Sequence, residues 1–107
     1  MNKVVLIGNL TKKPELVDIN ENKLTKISVA VTENYTNSKG EKPVSFFNVI
    51  AWGKLGENCV KYLDKGSKVG IEGKLQNRKY EKDGETKYVF EIVAEEIEYL
   101  SVKRDNE

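Results

Sequence analysis

Residues 44–66 read VSFFNVIAWGKLGENCVKYLDKG, and this stretch decides the architecture. Val44 to Trp52 is rich in β-branched and aromatic residues and reads as a strand. Lys54 to Leu63 is the one helical candidate. Leu55, Cys59, Val60 and Leu63 fall at i, i+4, i+5 and i+8 and make a single apolar stripe. Asp64-Lys65-Gly66 ends it, with Gly66 suited to a left-handed position. Within the strand, Phe47, Val49 and Ala51 share one face, and Phe46, Asn48, Ile50 and Trp52 share the other. A core-facing Asn48 would need buried partners, so the first face is expected to line the core. The second face then carries two large exposed aromatics.

On the N-terminal side, Val4 to Leu10 reads as a strand that Glu15 to Ile19 continues after a bend at Pro14. Glu21-Asn22-Lys23 is expected to turn the chain. Leu24 to Thr32 alternates, with Thr25, Ile27, Val29 and Val31 on the apolar side, as in a half-buried strand. Glu33 to Pro43 is a polar loop. On the C-terminal side, Ser67 to Tyr80 forms a long strand, Asp83-Gly84 carries a hairpin signal, and Thr86 to Ile97 returns. The order is three strands, a helix, two strands. That predicts an all-β OB-fold over residues 1–100, a five-stranded Greek-key barrel with one helix between strands three and four and a long hairpin of strands four and five. Residues 101–107 are expected to be a short, flexible charged end. Such barrels bind oligonucleotides or oligosaccharides on the second and third strands and nearby loops, but a fold alone does not choose a ligand.

Composition narrows the function. At 107 residues the chain has the size of one domain. Apolar runs are short, and Lys3 is followed by only four apolar residues before Gly8, so neither a membrane span nor a secretory signal is expected. The single cysteine, Cys59, allows no internal disulfide and fits the cytoplasm. With no histidine, no Ser-His or Cys-His pair and no imidazole metal ligand exists. No phosphate-binding glycine motif or paired-carboxylate motif is present. No enzyme, metal or cofactor is therefore expected. The net charge of +1 hides an asymmetry: residues 1–90 carry +5 and residues 91–107 carry −4.

Phe46 and Trp52 fit a platform on which bases stack, or equally a surface that packs under a loop or in a subunit interface. Lys74, Gln76, Arg78 and Tyr80 share one parity of the hairpin, with Lys79, Lys82 and Lys87 nearby. A basic stripe with an aromatic tip suits phosphate contact plus stacking, and also an ordinary solvated strand balanced by Glu81, Asp83 and Glu85. Tyr35 is the aromatic of the polar loop, a recognition residue or a loop anchor. Tyr62, Tyr88 and Phe90 read as core or interface residues, and Cys59 as a buried small hydrophobe. Val4, Leu6 and Tyr62 are expected to be surplus apolar surface that a small barrel leaves uncovered.

These blocks together resemble the bacterial single-stranded DNA-binding protein family, the homo-oligomeric OB-fold type. Asn2-Lys3-Val4-Val5-Leu6-Ile7-Gly8-Asn9-Leu10 with Pro14-Glu15 is similar to the family's first strand, and Phe46 through Lys54 to its third strand and helix start. Tyr62-Leu63, Lys65 to Val69 and Ile71 to Leu75 resemble the region around its fourth strand. Arg78-Lys79-Tyr80, Gly84 and Tyr88 resemble its hairpin. The likeness covers residues 2–100. It implies stacking on Tyr35, Phe46, Trp52 and Tyr80, and adds Arg78, Lys54 and Lys74 as phosphate contacts. Several of these aromatics are commonly tryptophan in relatives, and Trp52 stands where Phe is common. The candidate DNA-binding set is Tyr35, Phe46, Asn48, Trp52, Lys54, Lys74, Arg78, Lys79 and Tyr80. The implied protein is a cytoplasmic, nucleoid-associated homotetramer, with a dimer as the alternative. It coats single strands without sequence preference in replication, recombination or repair. A primosome-type OB protein-interaction module is the competing reading, and a carboxylate enzyme on this scaffold a third. Relatives usually continue into a Gly/Pro/Gln-rich segment with an acidic, hydrophobic tip that recruits replication proteins. These residues end Lys103-Arg104-Asp105-Asn106-Glu107, as a truncated or a naturally short member would. Recruitment by that route is not expected of them.

Overall fold

A computed structural model describes residues 1–101, so the expected charged end from residue 102 on lies outside the described residues. Six strands and one helix follow the order β1 (Val4–Leu10), β2 (Glu15–Ile19), β3 (Asn22–Thr32), β4 (Val44–Trp52), α1 (Gly53–Tyr62), β5 (Lys68–Lys82) and β6 (Glu85–Tyr99). The first expected strand is divided at residues 11–14, because Pro14 withholds an amide from any ladder. Its second half, β2, pairs antiparallel with β3 from Glu15↔Lys26 to Ile19↔Asn22. The turn between them is Asn20-Glu21, both with positive φ. Asn22 and Lys23, expected in the turn, already belong to β3.

The ring closes in the order β1-β5-β6-β4-β3 and back to β1, the five-strand OB plan with β2 as an extension on β3. Closure rests on two short contacts. β4 meets β6 in parallel at Val49↔Ile92 and Ile50↔Val93. β1 meets β3 at Asn9↔Ala30 and Leu10↔Val29. Gly8 is required at the second closure, since a Cβ there would stand 2.3 Å from the Ala30 carbonyl oxygen.

Alternation of apolar residues folds inward as expected on β3 and β4: Ile27, Val29, Val49 and Ala51 are buried with Leu6, Leu10, Val69, Ile71, Ile92 and Ala94. Helix α1 adds Cys59 to this core, and Leu63 follows at its end. Burial pushes the Cys59 thiol pKa up, against a hydrogen bond from the Tyr99 hydroxyl at 3.8 Å. Gly66 does take a positive φ. It serves a turn after the helix in which the Ser67 amide donates to the Asp64 carbonyl.

One expectation about surplus apolar surface is corrected. Leu6 is in the core and Val4 packs against it. Tyr62 is exposed as expected, beside Tyr99, and the exposed apolar residues also include Val5, Ile7, Tyr88, Phe90 and Leu100. Parity explains the swap: Leu6 and Leu10 point in, so Val5 and Ile7 point out. On β6 the pairing shifts between Glu72↔Glu96 and Gly73↔Ala94, which leaves Glu95 as an extra residue. This bulge moves the inward set from Ile92 and Ala94 to Ile97 and Tyr99.

Candidate nucleic-acid interface

The outward face of β4 is open at Phe46, Asn48 and Trp52 and closed at Ile50. Phe46 is 69% exposed and Trp52 46%, while Val49 and Ala51, on the other parity, are sealed. Asn48 is exposed as well, as its parity on the strand predicts. Cross-strand partners extend the same face onto β3: Ser28 lies opposite Asn48, Lys26 opposite Ile50 and Leu24 opposite Trp52.

The root of the β5–β6 hairpin stands beside this face. Asp83-Gly84 turns it with φ of 53° and 77° at the two central residues, the positive values a type I′ turn demands. Its register puts Gln76 opposite Glu91, Arg78 opposite Val89 and Tyr80 opposite Lys87. These side chains share one face. Between hairpin and β3–β4 lies a cleft of about 520 Å³. Its apolar lining includes Ile19, Leu24, Ile50, Trp52 and Val89, and its polar lining includes Asn48, Ser28, Gln76, Arg78, Glu91, Lys12 and Lys26. Apolar walls with a few convergent polar groups suit a flat, polar-edged ligand.

The cleft brings Asn48, Trp52 and Arg78 together. Phe46 lies on the same face nearer the start of β4, Lys74 lies on the Arg78 parity near the root of the hairpin, and Tyr80, 41% exposed, stands farther out along it. Lys54 follows Trp52 in the first turn of α1. Tyr35, 59% exposed, sits on the loop after β3. There the Asn37 side-chain oxygen accepts hydrogen bonds from the amides of Lys39 and Glu41. Lys79 is not brought to this face: it pairs with Tyr88 on the opposite side of the hairpin.

Three charged residues of the cleft lie outside the set expected from the sequence. Lys12 lies in the break between β1 and β2, and Lys26 on the outward parity of β3. The third, Glu91, is 7% exposed. Its carboxylate accepts from Arg78 Nε at 3.0 Å and Gln76 Nε2 at 3.3 Å. The alternation of β3 could have flagged Lys26. Lys12, Lys26, Lys54 and Lys74 have no ion-pair partner among the described residues. No group of three His, Cys, Asp or Glu among them is placed to hold a metal. No helix among them is long and apolar enough to cross a membrane.

Comparison with known proteins adds to this geometry. The model of the single-strand binding protein family matches residues 1–100. The chain is 45% identical over 100 residues to the single-stranded DNA-binding protein 2 of Streptococcus agalactiae, covering 92% of this chain and 76% of that one. It is 39% identical over 108 residues to the single-stranded DNA-binding protein 1 of Clostridium acetobutylicum, covering 98% of each. A crystal structure of a deletion mutant of the single-stranded DNA binding protein from Thermus aquaticus superposes with a TM-score of 0.78 at 30% identity. That match covers 94% of this chain and 51% of the Thermus chain.

Proposed function

The chain belongs to the single-strand binding protein family, and from that premise we propose that it binds single-stranded DNA without sequence preference. The observation that carries this reading is the exposed pair Phe46 and Trp52 on the face that borders the Arg78-walled cleft. Every base has a π-face, so stacking there tolerates any sequence and contributes roughly 1–3 kcal/mol per base. A duplex keeps its bases stacked inside and offers none. Tyr35 and Tyr80 extend the track beyond the cleft. Lys12, Lys26, Lys54 and Lys74 neutralise phosphates and release counterions. Lys79, on the far side of the hairpin, serves a strand that wraps around it. Asn48 and Gln76 supply adaptable hydrogen bonds to base edges.

The same reading makes the protein a cytoplasmic, nucleoid-associated coat for exposed strands in replication, recombination or repair. It also makes it a homotetramer. Support comes from the exposed apolar residues Val5, Ile7, Tyr88, Phe90 and Leu100, away from the cleft. Light scattering is expected to give a mass above the monomer at micromolar concentration. A stable monomer would refute assembly.

Trp52, the sole tryptophan, supplies the test of binding. A single-stranded oligonucleotide is expected to quench its emission strongly, and duplex DNA far less. Equal response to both, or none, sinks the proposal and favours an OB module for protein partners.

A further inference from the structure

Glu91 is out of place in a site that faces a polyanion. It lies in the lining of the cleft with its side chain 8% exposed. An acid there repels phosphate, and burying its charge is costly unless the charge is paired. The pairing is specific. One carboxylate oxygen, Oε1, takes both the Arg78 Nε donor and the Gln76 Nε2 donor. Gln76 is its direct cross-strand partner, and Arg78 is two residues further along β5. Only Nε of the guanidinium is engaged, at 3.0 Å. The terminal nitrogens keep their N–H donors for another acceptor.

Resting on the single-stranded DNA reading, we infer that Glu91 is a positioning residue that presets Arg78 and Gln76 for the strand. A free arginine loses much rotamer freedom when it clamps a phosphate or a base edge. Held at Nε, Arg78 meets the strand already oriented, and its planar fork keeps a fixed direction. Glu91 also cancels the charge of Arg78. The value of Arg78 to binding is then geometric, and the unpaired lysines supply the counterion release.

The test is a matter of sign. Affinity for an oligothymidylate is read from Trp52 quenching across a salt series, in the wild-type chain and in Glu91→Gln, Arg78→Ala, Arg78→Lys and the Glu91→Gln/Arg78→Ala double variant. Glu91→Gln removes a negative charge, so simple electrostatics demands tighter binding. Positioning demands the reverse, roughly three- to tenfold weaker binding, the equivalent of one ordinary hydrogen bond. In the Arg78→Ala background the sign should invert. There Glu91→Gln removes an unpaired acid and should tighten binding by about two- to threefold. Tighter binding by Glu91→Gln in both backgrounds overturns the inference. Arg78→Lys carries the test if Glu91→Gln does not fold. It keeps a cation beside Glu91 but loses the fork, and is expected to bind about as weakly as Arg78→Ala. Wild-type affinity of Arg78→Lys also overturns the role given to Glu91. If the wild-type Trp52 ignores the oligonucleotide altogether, the binding reading itself has failed and this inference falls with it.

Discussion

Along β4, Phe46 and Phe47 are neighbours of the same type with different fates. Phe47 packs against the core beside Val49 and Ala51, whereas Phe46 is 69% exposed beside Asn48. Hydrophobicity does not separate them; strand parity does. The inward face has one task, to fill the barrel without voids. The outward face is graded. Its end residues Phe46 and Trp52 are open, while Ile50, between them, is 6% exposed, and Leu24, opposite Trp52 on β3, is 7% exposed. Both lie in the lining of the cleft that Arg78 and Val89 of the hairpin also line. A surface can thus bury apolar floor and still offer aromatic rims.

The sharpest way to break this contrast is to place the same charge on each face. Val49→Asp puts an unpaired carboxylate at a sealed position, and is expected to lower stability by more than about 4 kcal/mol in urea unfolding. Phe46→Asp should change it by less than about 0.5 kcal/mol. Similar losses in both would mean that the outward face is structural.

Trp52→Ala sharpens the contrast next. DNA affinity should fall by roughly 1–3 kcal/mol, with a melting shift equivalent to less than about 1 kcal/mol. A stability loss of about 3–5 kcal/mol, typical of removing a buried tryptophan, would assign Trp52 to the inward class.

The smallest effect separates paired from unpaired cations. Lys54→Ala should lower the slope of log affinity against log salt by about 0.7, one phosphate on a single strand. Arg78→Ala should lower it less, because Glu91 already balances that charge. Equal slope changes would show that Arg78 acts as a free cation.

Much of this was legible in local pattern. The β4 parity, the helix within one residue, and the Asp83-Gly84 turn all follow from periodicity and turn chemistry. What escaped is non-local. Glu95 is one acid among several in a charged strand, and only the pairing with β5 reveals it as a bulge. Lys12 joins the cleft from a break more than sixty residues before Arg78. Glu91 looks like a solvated strand residue until Gln76 and Arg78 close over it. The burial of Leu6 is not legible in the sequence, because a continuous apolar run such as Val4 to Ile7 carries no alternation to say which side faces in.

Asn2 gives the barrel an edge. Its side chain donates to the Leu75 carbonyl at 2.7 Å and accepts from the Leu75 amide at 2.9 Å, as a strand residue would. The β1–β5 ladder itself runs only to Val4↔Gly73. Beyond Leu75, β5 pairs with β6 alone, so a row of backbone groups faces outward along the arm. Such a row is a template on which a foreign strand can add and seed aggregates. Arg78, Lys79 and Lys82 lie along that stretch of β5, with Glu81 the one acid among them. The net positive charge of this edge opposes the addition of a second copy of the same strand.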